Sequence, residues 1–413
     1  MTKNAVQNCA KCGMCLNVCP VYTVLNEEQA SPRARLHLIK AYEQNKLSSS
    51  PLLKEIISKC LMCGSCAAIC PLGINHYSEF MEMRKRMVED HGEKLPIKSL
   101  VYLLAKEQRL KFANTLARVG QNIVPEQFKE KYKLGNIPLK RLPVLNKKPF
   151  RSALPETIFP NGEQKGTVIY FTGCATNYIY EDTGFSAVNI LSHLGYRILI
   201  PETQTCCAIP MLFHGFVEKA RQSIKENIAA LSQDSVDAII VDCATCGTAL
   251  KKEYNLLCDK LDLDKSAVDE ISSKVTDIGS FMLANADFFN FKKIQNPKSL
   301  NLTYHLPCHL KNSFGNTETM ETLLKIIPNI NYIKAADFDS CCGGGGTFFY
   351  EYPEVSKKIG NKKKETAIKT GADLWLTDCP VCRINLSGNL DENDSLKVVH
   401  PVSAISSLLK PKT

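Results

Sequence analysis

Hydrophobic positions predict two similar runs of strands and helices in the second half of the chain. In the first run the pattern predicts strands at 167–174, 196–200 and 238–243, with helices at 181–194 and 214–231. In the second run it predicts strands at 302–308, 331–335 and 374–379, with helices near 317–327 and 353–370. Alternation of strands and helices implies a parallel sheet, and ligands of such sheets lie outside the carboxyl ends of the strands.

The first 165 residues have a different, mainly helical pattern. Apolar side chains recur at helical spacing in 31–47 and in 97–119. The second of these helices carries the cations Lys98, Lys106, Arg109, Lys111 and Arg118. We expect it to pack on the N-terminal domain, and binding to a membrane or to a partner subunit is the alternative.

Six prolines between 125 and 160 disfavour regular structure and mark a boundary. We therefore predict four segments. They are an N-terminal domain at 1–95, a helical and Pro-rich linker at 96–165, and two repeated domains at 166–260 and 261–413.

Composition narrows the possible function classes. Hydrophobic residues make up 44% of the 413 residues and charged residues 23%, which is the balance of a globular protein. The formal net charge of +9 suits an acidic partner or an anionic membrane surface, but it is too diffuse to indicate nucleic-acid binding. The sequence shows no signal peptide and no apolar stretch approaching 18 residues, so we expect a cytoplasmic protein that does not span a bilayer.

The 19 cysteines carry the chemistry, and eight of them form two matching motifs. Residues 9–20 and 60–71 both have the spacing C-x2-C-x2-C-x3-C-P of bacterial ferredoxins, in which the fourth cysteine ligates the other cluster. This spacing predicts two 4Fe-4S clusters. The expected ligands are Cys9, Cys12, Cys15 and Cys70 for cluster 1, and Cys60, Cys63, Cys66 and Cys19 for cluster 2. Two zinc sites are the alternative, but four-cysteine runs that end in proline fit zinc poorly. Arg33 and Arg35 between the runs face a cluster, a partner or solvent.

Ten further cysteines fall into two matching sets, which marks an internal duplication. In each set a single cysteine is followed after about 31 residues by Cys-Cys, and after about 36 more by Cys-x2-Cys. The first thiol set is Cys174, Cys206, Cys207, Cys243 and Cys246, and the second thiol set is Cys308, Cys341, Cys342, Cys379 and Cys382. Five thiols exceed the need of one cubane, so a metal cluster of unusual geometry is expected. Zinc sites, redox disulfides and a copy kept only for packing remain alternatives.

Three other features lie near these sets. The GGGG sequence at 343–346 lacks the Lys-Ser/Thr of a phosphate loop, so we expect it to allow close approach of the backbone to a cluster. His305 and His309 flank Cys308 and are candidate hydrogen-bond donors to sulfur. Cys258 belongs to neither set and is expected to pack on a helix.

These motifs resemble the CCG-domain iron–sulfur proteins. The resemblance rests on both ferredoxin-type runs, on SPRARLHLIK between them and on the two Cys-Cys motifs, and it covers nearly the whole chain. The architecture is similar to that of glycolate oxidase and lactate dehydrogenase iron–sulfur subunits. It implies an α+β and α/β chain in which a helical two-cluster ferredoxin-like domain precedes a pair of parallel α/β CCG domains. It further implies one or two noncubane 4Fe-4S clusters in those domains.

The resemblance implies an electron-transfer subunit of a 2-hydroxyacid oxidoreductase that passes electrons from a flavin subunit toward quinone. No G-x-G-x-x-G follows a strand, so hydride chemistry is expected on another chain of a hetero-oligomer, which is associated with the inner face of the membrane. Heterodisulfide reductase subunits share the architecture. Both thiol sets are intact here, which keeps disulfide reduction at noncubane clusters as the alternative. A zinc-binding scaffold is a third class. The catalytic residues and the substrate stay unassigned.

Overall fold

A computed structural model describes residues 8–160, 162–288 and 299–409. Its N-terminal module consists of helices, and two of the shortest lie within the cysteine runs. Ser31 and Ser50 cap two of these helices by accepting from the backbone N–H three residues on, and a proline follows each cap. The buried side chains of Leu36, Ile57 and Phe80 pack the helices together. The helices are α1 Met14–Asn17, α2 Tyr22–Leu25, α3 Pro32–Glu43, α4 Pro51–Ser58, α5 Ser65–Ala68 and α6 His76–His91.

The next segment contains three helices and three short strands: α7 Leu95–Leu104, α8 Glu107–Ile123, α9 Glu126–Lys131, β1 Lys133–Leu134, β2 Ile137–Pro138 and β3 Thr157–Ile158. The prediction of one helix over 97–119 is wrong, because the backbone of Lys106 is extended and separates α7 from α8. Because α8 begins after this break, Glu107 lies in its first turn. The Glu107 carboxylate accepts hydrogen bonds from Arg151 and Tyr178. Buried side chains of α7 join an apolar cluster that includes the N-terminal helices and Ile209–Phe213, whereas none of the described side chains of α8 is buried.

The Pro-rich stretch also contains more regular structure than expected. The strands β1 and β2 form an antiparallel hairpin, and β3 pairs antiparallel with β5 (Tyr196–Leu199) at the edge of the first large sheet.

The first large sheet has the strand order β3-β5-β4-β6-β7, and its pairs are parallel apart from the β3 edge. Its remaining elements are β4 Gly166–Phe171, α10 Gly173–Tyr178, α11 Glu181–His193, α12 Ile209–Phe213, α13 Val217–Leu231, β6 Ala238–Val241, α14 Ala244–Thr248, α15 Tyr254–Leu261, α16 Lys265–Lys274, β7 Val275–Asp277 and α17 Ile278–Ala284. A π-helical segment, Ala249–Glu253, joins α14 to α15. The sheet thus includes β7, which lies beyond residue 260.

The second large sheet has the order β11-β10-β8-β9 and is parallel throughout. Its elements are β8 Leu300–Tyr304, α18 Thr319–Ile326, β9 Ile330–Tyr332, α19 Phe348–Glu351, α20 Pro353–Ile368, β10 Leu374–Leu376, α21 Pro380–Asn389, β11 Lys397–Val399 and α22 Pro401–Ser406. Parallel pairing in both sheets confirms the expected mixture of helices and parallel sheets.

The strands end earlier than the hydrophobic pattern predicts. They stop at Phe171, Val241, Tyr304 and Leu376, a few residues before the cysteines. The backbone turns into helices at these points, and Cys243 and Cys379 become the N-cap residues of α14 and α21. Thiols at helix N-termini lie where the helix dipole favours a thiolate.

The two sheet units share a core and contact each other at the carboxyl ends of their strands. Buried side chains from both units form one apolar cluster, and α22 of the second unit packs on α11 of the first. The N–H of Ala244 donates to the carbonyl of Asp378 (3.0 Å), and the His400 ring bonds the carbonyl of Asp242 (2.7 Å). The two cysteine-bearing ends therefore face each other.

Candidate metal centres

The eight cysteines of the N-terminal module line two separate small cavities. Cys9, Cys12, Cys15 and Cys70 line one of them, and Cys19, Cys60, Cys63 and Cys66 line the other. Each group takes three cysteines from one run and one from the other, because α1 and α5 pack side by side. This grouping is the one that the ferredoxin-type spacing predicts. The ligation of iron by these thiols stays a prediction.

Buried N–H groups surround the second of these cavities, and they fit an anionic iron–sulfide core. The Arg35 guanidinium is buried and donates to the carbonyls of Ile56 and Lys59, so of the three alternatives for this residue the structure excludes solvent. Its Nη1 has no partner among the described residues, and the side chain lines the cavity. Backbone N–H groups also donate to the sulfurs of Cys19 and Cys60, both at 3.5 Å. Such hydrogen bonds tune the potential of a cluster.

Arg33 lines the first of the two cavities, beside Cys9, Cys12, Cys15 and Cys70. It forms an exposed ion pair with Glu28 (2.7 Å).

The first thiol set gathers between β4, β6 and the Cys-Cys turn. Its side chains contact one another in the order Cys174, Cys206, Cys207, Cys246, Cys243. Hydrogen bonds from Cys206 and Cys246 lower the pKa of Cys207. A Cβ on Gly173 would lie 2.9 Å from the Cys246 sulfur, so glycine is required for this close approach.

The second thiol set repeats this arrangement in the other copy. Its contacts run in the order Cys308, Cys341, Cys342, Cys382, Cys379, and the sulfurs of Cys342 and Cys382 are 3.1 Å apart. All of these cysteines are free thiols. Ten soft sulfur ligands in two equivalent groups suit iron–sulfur clusters.

The glycine sequence after Cys342 brings backbone N–H groups to sulfur. Gly343 donates to the Cys341 sulfur (3.5 Å) and Gly344 to the Cys342 sulfur (3.3 Å). Gly343 has φ +86°, and a Cβ on Gly344 would meet Cys342 at 3.3 Å. The expected close approach of the backbone to this site is therefore confirmed.

Each set is supported by a buried tyrosine–aspartate pair that sequence reasoning missed. The Tyr170 hydroxyl donates to Asp242 (2.6 Å), and the Tyr304 hydroxyl donates to Asp378 (2.5 Å). Burial raises the pKa of Asp242 to about 6 and that of Asp378 to about 7. The repeated Asp-Cys dipeptide, with a tyrosine four residues before the single cysteine of each set, was the available sequence signal.

One cavity of about 250 Å³ lies between the two thiol sets and reaches the N-terminal module. Every cysteine of both sets except Cys206 lines it, and Cys60 lines it from the ferredoxin-type run. Arg84 also lines the cavity, and it donates to the carbonyls of Cys60 (2.6 Å) and Phe213 (2.7 Å). Thiols from three parts of the chain thus converge on one cavity.

The two histidines beside Cys308 have different surroundings. The His309 ring contacts the Thr245 hydroxyl (2.9 Å) and the Met62 carbonyl (3.3 Å), so it links the first copy to the N-terminal module. Burial lowers the pKa of His309 to about 4. His305 is fully buried, and its ring lies within 4.8 Å of the Cys342 and Cys382 sulfurs. Neither ring nitrogen of His305 has a hydrogen-bond partner among the described residues.

Cys258 lies apart from both sets. It is buried on α15 in the apolar core, which confirms the expectation of a packing role.

Comparisons with known proteins agree with this architecture. The cysteine-rich domain CCG matches residues 168–251 and 302–387, and the 4Fe-4S dicluster domain matches residues 5–74. A probable glycolate oxidase iron-sulfur subunit of Bacillus subtilis is 26% identical over 99% of this chain and 95% of its own length. A dihydromethanophenazine:CoB–CoM heterodisulfide reductase subunit from Methanosarcina barkeri is 26% identical over 94% of this chain and 89% of its own.

Two further comparisons cover a shorter relative and a solved structure. Lactate utilization protein A of Shouchella clausii is 27% identical over 58% of this chain and 98% of its own. The crystal structure of a hypothetical protein from Helicobacter pylori has a TM-score of 0.54 at 11% identity, over 100% of this chain and 74% of its own, and this likeness concerns the fold alone. Among the described residues, no helix has the length and apolar character needed to cross a membrane.

Proposed function

We propose that this chain, which carries two CCG cysteine-rich domains and a 4Fe-4S dicluster domain, is an electron-transfer subunit that holds 4Fe-4S clusters. From this premise we propose that it receives electrons from a flavin-containing subunit that oxidises a 2-hydroxy acid such as glycolate or lactate. It passes them toward quinone, in a complex held at the inner face of the cytoplasmic membrane. The glycolate oxidase and lactate utilization relatives support this proposal.

The observation that carries the proposal is the shared cavity. Cys60 of the N-terminal module and thiols of both sets line this one cavity. Cys63 and Cys341 belong to one buried apolar cluster and Cys308 packs against it, so thiols of the second set lie beside the N-terminal module. Redox centres that succeed one another over short distances form a path for electrons.

The chain contributes ligands and their environment. Bound 4Fe-4S clusters supply one-electron redox chemistry. We assign the ferredoxin-type thiols to two cubanes in the grouping predicted above, and each five-thiol set to one noncubane cluster. Positive charge is supplied by Arg35 and Arg84, which line the two cavities. Backbone N–H groups of Gly343 and Gly344 donate to sulfurs of the second thiol set. Such contacts stabilise the reduced, more negative form.

Metal analysis of anaerobically reconstituted protein tests the assignment first. We expect about sixteen iron atoms per chain if all four sites are filled, and about eight if only the ferredoxin-type pair is filled. Zinc without acid-labile sulfide overturns the redox role altogether.

Activity of the purified complex tests the direction of electron flow. We expect a dye acceptor to be reduced with glycolate, D-lactate or L-lactate, and Cys60→Ala to abolish this reduction. Cys258→Ala, a buried cysteine outside every set, is the matched control and retains it. Dye reduction that survives Cys60→Ala contradicts the proposed path.

A second candidate function is reduction of a disulfide inside the cavity. Two intact thiol sets face the same space, which is favourable for a reaction that consumes two electrons, and the heterodisulfide reductase relatives support it. The reaction converts one disulfide, two electrons and two protons into two thiols. A purified complex that reduces a thiol-coenzyme disulfide with a viologen donor, and shows no hydroxyacid turnover, selects this function over the first.

A further inference from the structure

The positive charge of this protein is concentrated in residues 94–148. That segment contains thirteen of the 51 Lys and Arg residues but only three of the 42 Asp and Glu residues. Its net charge of +10 exceeds the +9 of the whole chain, so the remainder is close to neutral. Charge that looks diffuse over the full sequence is therefore gathered on the segment that includes α7, α8 and α9.

The same segment exposes an apolar stripe on α8. The stripe consists of Phe112, Leu116, Val119 and Ile123, which are 66%, 57%, 47% and 73% exposed. Their spacing of four, three and four residues places them on one side of the helix. Lys111 and Arg118 lie on a neighbouring side of the helix. We name these four residues the α8 stripe.

The opposite side of α8 is bound to the protein. Glu107 accepts hydrogen bonds from Arg151 and Tyr178, and Gln121 bonds the backbone of Pro143 and Leu145, both at 3.1 Å. These bonds hold the helix along the surface. The stripe therefore faces outward and has no cover within the described chain.

We propose that the α8 stripe inserts into the surface of an anionic lipid bilayer, with the surrounding lysines and arginines contacting the headgroups. A helix of this type, basic on its polar side and apolar on the other, lies in the plane of a membrane interface. The proposal names the surface responsible for the peripheral membrane location proposed above. It rests on the proposed function for that location and for nothing else.

The basic residues favour lipid over a protein partner. Ten of the thirteen cations in the segment are lysines. Lysine is depleted at protein–protein interfaces, whereas clustered lysines bind anionic membranes as point charges without requiring fixed geometry. The aromatic rings of Phe128 and Tyr132, which are stacked and exposed, extend the apolar surface of the same segment.

Vesicle flotation with the cluster-loaded full-length protein tests this surface. We expect binding to phosphatidylcholine vesicles with 30% phosphatidylglycerol, and at least tenfold weaker binding to phosphatidylcholine alone or in 0.5 M salt. The double variants Phe112→Ser/Ile123→Ser and Lys106→Glu/Lys111→Glu should each weaken binding about tenfold or more.

Matched controls place equivalent changes elsewhere on the surface. Ile326→Ser/Ile368→Ser replaces exposed apolar residues, and Lys357→Glu/Lys358→Glu reverses two exposed lysines, both outside the segment. We expect wild-type binding from both controls. Absence of binding by the wild type, equal binding to neutral vesicles, or unchanged binding by the segment variants overturns the proposal.

A partner assay separates this proposal from the redox role. Phe112→Ser/Ile123→Ser protein that loses vesicle binding but keeps its iron content, its partner subunit and hydroxyacid-dependent dye reduction supports the membrane surface. Loss of the partner subunit with intact vesicle binding assigns the stripe to a protein interface and overturns the proposal. Failure of dye reduction in the wild type concerns only the proposed function.

Discussion

The two CCG copies gather five thiols in the same way but differ in what surrounds them. In each copy a tyrosine hydroxyl bonds the aspartate that precedes a cysteine. In each copy an asparagine also donates to a carbonyl of the Cys-Cys pair, Asn227 to Cys206 (3.0 Å) and Asn385 to Cys342 (2.8 Å). These contacts fix the backbone around the thiols, so both copies keep the same supporting hydrogen bonds.

The second copy differs from the first in its contacts with Cys63 of the N-terminal module and in one residue near its single cysteine. Asn312 donates to the carbonyl of Cys63 (2.7 Å), and Cys341 shares an apolar cluster with Cys19 and Cys63. The first copy has Phe171 at the position that His305 occupies in the second copy, three residues before the single cysteine. From the contacts with Cys63 we predict that the second copy is the first to receive electrons from the ferredoxin-type module.

Removing one Cys-Cys pair at a time gives the largest expected effect. Cys341→Ser/Cys342→Ser and Cys206→Ser/Cys207→Ser should each lower the iron content by about four atoms per chain. Only the first of these variants should also prevent electrons from reaching the other CCG site, because its thiols lie nearest Cys63. Freeze-quench EPR after mixing with a reductant measures this. Equal behaviour of the two variants contradicts the order of the copies.

Acid pH should weaken the contact between the copies at His214. Its ring contacts the Thr347 hydroxyl of the second copy (2.6 Å), and burial, followed by the charge of Arg84, lowers the pKa of His214 to about 4. Between pH 6.5 and 4 the unfolded chain binds a proton that the folded chain does not, so the free energy of unfolding falls as the pH falls. His214→Gln should remove about 2 kcal/mol of the loss between pH 7.5 and pH 5.0.

Urea titrations at pH 7.5 and 5.0 under anaerobic conditions measure the effect. His91→Gln, a change at an exposed histidine, is the control and should leave the pH dependence as in the wild type. A His214→Gln protein with the wild-type pH dependence shows that this histidine does not determine acid stability.

The tyrosine–aspartate pairs should be equally important in both copies. Tyr170→Phe and Tyr304→Phe each leave a buried carboxyl group without its phenol donor, at a cost of about 1–3 kcal/mol in the free energy of unfolding. The exposed Tyr102→Phe is the control and should stay within about 0.5 kcal/mol of wild type. Clearly unequal losses in the free energy of unfolding would show that the two tyrosine–aspartate pairs are not equivalent.

Exchange of His305 and Phe171 gives the smallest effect and probes the difference between the copies directly. If His305 donates to sulfur near Cys342, then His305→Phe should lower the reduction potential of the second site by roughly 40 mV, the one-electron equivalent of about 1 kcal/mol. Phe171→His is the reciprocal variant and should raise the potential of the first site. EPR-monitored redox titration measures both changes. A loss of iron in His305→Phe would instead identify the histidine as a ligand.

Much of the fold and of the site could be predicted from the sequence. Hydrophobic periodicity located the helices and parallel strands of both copies, because burial of one face imposes a period on any chain. The cysteine spacing grouped the thiols, since ligands of one cluster must lie a fixed few residues apart where the chain turns around it. These are local constraints, and a sequence records local constraints directly.

Contacts between distant parts of the chain could be found only in the folded structure. The break at Lys106, the burial of Arg35 and the position of His305 beside Cys342 and Cys382 each depend on partners far away in the chain. The shared cavity likewise exists only because two sheets and the N-terminal module contact one another at their cysteine-bearing ends. The cysteine spacing was sufficient to predict which thiols form each candidate metal site. Packing between separate elements determined which of these sites face each other, since contact between them carries no periodic pattern along the chain.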